Sequence, residues 1–210
     1  MATTVGSDPA TRRAEVLAHR RSPAHHLHTE MEQGSAGAVR LREVPFLTQI
    51  ALRAVPGTPA GEALQAALGT SLPRHVGEVS EGPDELRVLW LAPDEFLAVA
   101  PDEAETGVLT TEYAEGLAAA LGRSGQVVDV SANRTTLELS GAAAQSVLDK
   151  SCRLDLHPRA FPVGAAVATQ LAGTPAVLWR TADQTWQVMV RSSFATHVVR
   201  WLLDGMREYA

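Results

Sequence analysis

The 210-residue sequence contains one cysteine, Cys152, so it cannot form an internal disulfide, which fits a reducing compartment. It lacks an uninterrupted apolar run of the roughly 20 residues a membrane-spanning helix needs. Its first residues, Met1 to Pro9, are polar and lack the apolar stretch of a secretory signal, so a cytoplasmic setting and no membrane partner are expected. Positive charge is not in excess either. Eighteen Lys and Arg stand against 24 Asp and Glu, a net charge of −6, and this excludes the basic face that nucleic-acid binding requires. The glycines follow neither phosphate-loop spacing nor G-x-G-x-x-G after a strand, so nucleotide sites of those types are absent.

Complete catalytic or metal constellations are missing as well. His25-His26-x-His28 has no cysteine or carboxylate framework beside it, whereas a structural zinc site needs four fixed ligands. Asp129, Ser131 and His157 supply the residue types of a nucleophilic triad, but Ser131 is not on a G-x-S-x-G elbow. Asp129-x-Ser131 before Asn133-Arg134-Thr135 reads better as a turn between strands. Asp94, Glu95, Asp102, Glu103 and Glu105 read as a solvated acidic face. Cys152 reads as a half-buried thiol. No catalytic, cofactor-binding or metal-binding residue is therefore assigned to this chain.

What is present is a core: hydrophobic residues make up 45 % of the chain, enough for one large domain or two packed halves. Residues 1–38 are poor in large apolar side chains and are expected to form a flexible arm that orders only against something else. Residues 39–210 are expected to form a single α+β domain with halves at about 39–122 and 126–208. In the first half, Phe46 to Arg53 alternate as a strand. Thr58-Pro59 opens a helix that ends at Leu68-Gly69. A hairpin pairs Arg87–Leu91 with Phe96–Ala100 around Ala92-Pro93-Asp94-Glu95, and a helix from about Leu109 to Leu121 follows. In the second half, strands 126–130 and 135–139 precede a helix from Ala142 to Lys150. Strand 167–171, a hairpin of 177–180 with 185–191, and a helix from about Phe194 to Glu208 complete it.

The hairpins resemble each other: Val88-Leu89-Trp90, Asp94 and Val99 align without gaps on Val177-Leu178-Trp179, Asp183 and Val188. This points to two duplicated β-α-β-β-α units packed with pseudo-twofold symmetry. Trp90, Trp179, Trp186 and Trp201 are expected as core or interface anchors. The last helix has an apolar arc wide enough to meet another chain. The stiff, proline-bearing loop Leu154 to Pro162 suits recognition, with loop packing as the competing reading. The candidate partner interface is Asp155, His157, Arg159 and Phe161, together with Trp201.

Three stretches carry a family resemblance: Asp129-Val130-Ser131-Ala132-Asn133-Arg134-Thr135, then Leu137 to Gly141, then Cys152 to Pro162. Ser22-Pro23-Ala24-His25, Val39-Arg40-Leu41-Arg42-Glu43 and Trp90-Leu91-Ala92-Pro93-Asp94-Glu95 agree with them. Together they resemble the gamma subunits of heterotetrameric sarcosine oxidase, from about residue 22 to the C terminus. The resemblance implies a fold like the folate-binding fold of glycine-cleavage aminomethyltransferases, and alpha, beta and delta subunits as partners. It implies an assembly that oxidises sarcosine with O2 to glycine and H2O2, releasing formaldehyde or 5,10-methylenetetrahydrofolate. FAD, FMN, NAD, zinc and tetrahydrofolate would then belong to the other subunits, leaving this chain a non-catalytic accessory role. The alternatives are a stand-alone folate-binding or aminomethyltransferase-like protein, and a scaffold in another amine-oxidising complex.

Overall fold

The computed structural model describes residues 15–35 and 37–209. Its elements start and stop largely where local chemistry demands. Helix α1 is His28–Gly34, following a 3-10 turn at His25–Leu27, and it leads to strands β1 (Arg40–Val44) and β2 (Leu47–Arg53). Helix α2 (Pro59–Leu68) is capped by the Thr58 hydroxyl, which accepts from the Gly61 N–H, and stops at Gly69, whose φ of 68° suits a residue without Cβ. Next come β3 (Val79–Glu81), β4 (Arg87–Ala92), β5 (Glu95–Asp102), the short α3 (Glu103–Thr106) and α4 (Thr110–Leu121). The second half runs β6 (Gln126–Asp129), β7 (Arg134–Ser140), α5 (Ala144–Asp149), β8 (Ala166–Leu171), β9 (Thr174–Ala182), β10 (Thr185–Arg191) and α6 (Ala195–Met206). The sequence reading does not single out β1, β3, α1 or α3, all of them short.

The strands form two five-stranded antiparallel sheets, ordered β3-β4-β5-β2-β6 and β8-β9-β10-β7-β1. Each half places its own first strand on the edge of the other half's sheet: β1 pairs with β7, and β6 pairs with β2. The sheets stack face to face through Leu89, Leu97, Val99, Ala166, Val177 and Met189. Helices α2 and α4 cover one outer face, and α1, α5 and α6 cover the other. The result is an α/β/β/α sandwich. Central strands buried on both faces read as continuous apolar runs, as in Phe96-Leu97-Ala98-Val99 and Val188-Met189-Val190.

The strand exchange establishes the duplication more firmly than the residue matches do, and it corrects them. Ala92 opposite Glu95 corresponds to Ala182 opposite Thr185, 90 residues later, whereas setting Val88 on Val177 assumes 89. A slip of one residue exchanges the two faces of a strand. Val88, Phe96 and Ala98 lie under the helices of their half, and so do Leu178, Trp186 and Val188. Trp90 thus corresponds to Arg180, and Phe96 to Trp186.

The N-terminal segment departs most from expectation. Residues 1–14 of the expected arm lie outside the described residues. Ala24, Leu27 and Met31 are fully buried in the second half's core, with Val198, Leu202 and Met206. Helix α1 lies so close to α6 that a Cβ on Gly34 would stand 2.5 Å from Leu203 Cδ2. The segment therefore orders against the chain's own body. It also covers part of the wide apolar arc of α6 that suggested another chain.

Candidate functional site

Strand β1 alternates cleanly: Arg40 and Arg42 point to solvent, Leu41 and Glu43 inward. Glu43 is thereby forced into the buried phase, with its side chain fully covered. Four donors converge on its carboxylate. Oε2 accepts from Ser22 Oγ at 2.5 Å and His28 Nε2 at 2.8 Å, and Oε1 accepts from Thr135 Oγ1 at 2.6 Å and the Ala24 N–H at 3.1 Å. Burial alone would raise the Glu43 pKa, but the Ser22, Thr135, His28 and Ala24 hydrogen bonds outweigh it and hold it below the usual carboxylate value. Three of those donors lie between residues 22 and 28. Three stretches of the family resemblance, Ser22–His25, Val39–Glu43 and Asp129–Thr135, meet at this one carboxylate.

A second anchor lies just upstream. Arg20 makes a bidentate pair with Asp102 at 3.0 and 2.7 Å, approaches Glu103 at 3.6 Å, and stacks on the Phe46 ring at 4.2 Å. The acidic face read as solvated is thus partly engaged, because Asp102 and Glu103 receive a cation from the N-terminal segment. Glu95 is likewise ion-paired, with Arg53.

Asp129 is the strand-exchange counterpart of Glu43: Glu43 lies opposite Leu137, Asp129 opposite Ile50. The turn expected at 129–135 is present. Asp129 Oδ1 accepts from the Ser131 N–H at 2.9 Å and the Ser131 hydroxyl at 2.6 Å, and Oδ2 accepts from Thr110 Oγ1 at 2.9 Å. Ser131 Oγ in turn accepts the Gln49 N–H at 2.9 Å, and Gln49 O accepts the Val130 N–H at 2.9 Å. These bonds lock the crossing from one sheet to the other. His157 takes no part, so the three residue types do not assemble into a triad. A cleft of about 560 Å³ opens beside Asp129, lined among others by Arg21, Phe46, Ser131 and Arg134. A smaller pocket of about 220 Å³ lies between the sheets, where Arg53 and Glu95 are committed to each other.

The 154–162 loop divides its residues. Asp155, His157 and Arg159 face solvent, while Leu156 and Phe161 are buried. Phe161 is corrected as a contact residue: its ring packs on Trp186 at 5.1 Å, inside this chain's core. The loop is held from within. His157 N–H donates to Asp155 Oδ1 at 2.9 Å, Arg159 N–H to His157 Nδ1 at 3.2 Å, and the buried Arg180 guanidinium to Phe161 O at 2.9 Å. The loop-packing reading thus holds for Leu156 and Phe161, while Asp155, His157 and Arg159 are left exposed. Trp201 is half-buried against the same core, as is Cys152. Among the histidines expected to hold no metal, His28 serves Glu43 and His26 meets Thr196 Oγ1 at 3.2 Å.

Glu43, Arg20 and Arg134 are absent from the sequence-derived candidates. For Glu43 a signal existed: a carboxylate in the apolar phase of an alternating strand. For Arg20 and Arg134 the partners lie too far along the chain to be read locally.

The sarcosine oxidase, gamma subunit family profile matches residues 54–208. The chain is 55 % identical over 192 residues to the sarcosine oxidase subunit gamma of Arthrobacter sp., covering 91 % of this chain and 92 % of that protein. The corresponding subunit of Corynebacterium sp. (strain U-96) is 50 % identical over 195 residues, with the same coverage. A chain of the heterotetrameric sarcosine oxidase from Corynebacterium sp. U-96, solved in complex with pyrrole 2-carboxylate, superposes with a TM-score of 0.83 at 49 % identity, over 90 % of this chain and 96 % of that one. The glycine cleavage system aminomethyltransferase T of Bartonella henselae shares the fold, at a TM-score of 0.60 and 17 % identity over 86 % of this chain and 56 % of that one. With a match that runs through both halves and the N-terminal segment, the chain belongs to the sarcosine oxidase gamma subunit family.

Proposed function

We propose that the chain is a non-catalytic accessory subunit of a heterotetrameric sarcosine oxidase, stabilising the alpha, beta and delta subunits that carry the chemistry. The observation that carries this reading is the near full-length likeness to gamma subunits, one of them from a solved heterotetramer. On this reading the assembly demethylates sarcosine with O2 to glycine and H2O2, yielding formaldehyde or 5,10-methylenetetrahydrofolate. FAD, FMN, NAD, zinc and tetrahydrofolate reside on the partners, and the complex works in the cytoplasm. Within the described residues, no helix is long and apolar enough to cross a membrane. Residues 39–210 act as one body built from two halves, with residues 22–34 of the arm packed against it.

Asp155, His157 and Arg159 are the polar groups of the loop offered to a partner, held by Phe161 beneath them. Trp201 adds an aromatic at the α6 surface. The decisive experiment is purification of the other three subunits without this chain. Reduced yield, stability or turnover is expected; normal values for all three would refute the reading. The double substitution His157→Ala, Arg159→Ala should weaken assembly more than it lowers the melting temperature of the chain, since it removes only the one loop bond to His157 Nδ1. Calorimetric titration of the chain with tetrahydrofolate should give no saturable heat.

A further inference from the structure

The cleft beside Asp129 is lined by Arg20, Arg21 and Arg134 and by the carboxylates of Glu103 and Asp129, and Arg134 is a cation there with no acidic partner of its own among the described residues. Arg20 is committed to Asp102 and Glu103. Asp129 already accepts from Ser131 and Thr110. Arg134 lies directly opposite Arg191 on the neighbouring strand, and no carboxylate among the described residues pairs with either. Like charges opposed across a strand pair are destabilising, and a part-buried cation without a counter-ion is costly. Burial, followed by the Arg191 charge, lowers the Arg134 pKa from the ordinary arginine value. Arg134 also borders the inter-sheet pocket, but Glu95 there belongs to Arg53. Arg21, at the rim of the cleft, donates to the Arg20 carbonyl and adds further positive charge.

We propose that Arg134, which lines the cleft, with Arg191 opposite it and next to the lining residue Ser192, receives a carboxylate side chain from a segment of a partner subunit that docks there. The proposal rests on the accessory-subunit reading. Asp129 on the same wall disfavours a compact, multiply charged anion such as phosphate, which would set several negative charges beside it. A polypeptide segment instead brings a single carboxylate to the arginines and offers backbone N–H donors to Asp129. The cleft, at about 560 Å³, is wide enough for such a segment. A counter-charge from outside relieves a repulsion the described residues leave uncompensated, so the site is poised for assembly.

The test uses the reconstituted four-subunit complex. Affinity of this chain for the other subunits is measured over a range of NaCl concentrations for the wild type, Arg134→Gln with Arg191→Gln, and Arg134→Lys. The doubly neutralised form should bind at least about tenfold more weakly at low salt and show a flatter salt dependence. Arg134→Lys, which keeps the charge, should retain most of the affinity. Its thermal midpoint and that of the double variant should equal or exceed the wild type, because repulsion is relieved or unchanged. Wild-type affinity and salt slope in the double variant would overturn the proposal, as would equal weakening by Lys and Gln or a lowered midpoint accompanying lost assembly. Inorganic phosphate at matched ionic strength should displace the chain no better than chloride. Selective displacement by phosphate would make this a free-anion site and refute the polypeptide ligand. If the wild-type chain itself fails to bind the other subunits, the accessory-subunit reading falls, and this proposal with it.

Discussion

Strands β1 and β6 do the same topological work and live in opposite surroundings. Each crosses to the other half's sheet and forms its edge, and each ends near a carboxylate, Glu43 or Asp129. Around β1 the N-terminal segment has closed: Leu41 and Glu43 are buried, and the carboxylate takes its donors from Ser22, Ala24 and His28 as well as Thr135. Around β6 the helix α4 packs on Val127, which is half-buried, but no further segment among the described residues closes over the carboxylate. Val128 is 40 % exposed, and Asp129 looks onto an open cleft. A duplicated fold thus offers two equivalent crossings. Among the described residues, the N-terminal segment closes one crossing, and the other borders an open cleft.

The comparison is broken most severely at Glu43. Glu43→Ala strands several buried donors and should lower the unfolding free energy by about 3–5 kcal/mol, whereas Asp129→Ala, in the open counterpart, should lower it by about 1 kcal/mol. Urea unfolding of the two variants against wild type measures the difference. The same carboxylate sets a pH dependence. Because its folded pKa is depressed, its ionised form stabilises the fold fully above the ordinary value of 4.5, and that stabilisation is lost as pH falls through the lower folded pKa. The stability gap between wild type and Glu43→Gln should therefore narrow only on acidification below about 4.5, and a gap unchanged by acid would contradict this origin.

Met31→Ala comes next. It deletes a side chain that is 2 % exposed, between α1 and the second core, and should lower stability by about 2–4 kcal/mol in the same assay. Arg20→Ala removes a partly exposed bidentate pair and should lower it by about 1 kcal/mol, less at high salt. Val128→Thr, on exposed β6, should change it by no more than about 0.5 kcal/mol. A large effect there would contradict the exposure of Val128 on the open crossing.

Legibility followed sequence distance. The Thr58-Pro59 start and Gly69 stop of α2 are written within the helix itself, and the Ala92–Glu95 turn within four residues, so both were readable. The turn at Asp129–Ser131 was readable for the same reason, since its bonds span two positions. Glu43 meets Thr135 across 92 positions and Arg20 meets Asp102 across 82, and no local pattern announces such a pairing. Sparse apolar residues made the N-terminal segment look uncommitted, yet Ala24, Leu27 and Met31 suffice once a ready-made face receives them. The loop at 154–162 was half legible: its stiffness shows in the prolines, but the inward turn of Phe161 depends on Trp186 and Arg180.

The exchanged strands also impose an order of events on synthesis. Residues 40–44 emerge from the ribosome early, but their only sheet partner is β7, at residues 134–140. At roughly 5–20 residues per second, β1 waits about 5–20 s beside a half-built protein before it can pair. Ser22, Ala24 and His28 wait with it, because the carboxylate they seal is not in place until then. Residues 22–44 are thus translated well before β7 yet are among the last to settle, and the nascent chain carries an unpaired strand and an uncovered acidic group until then.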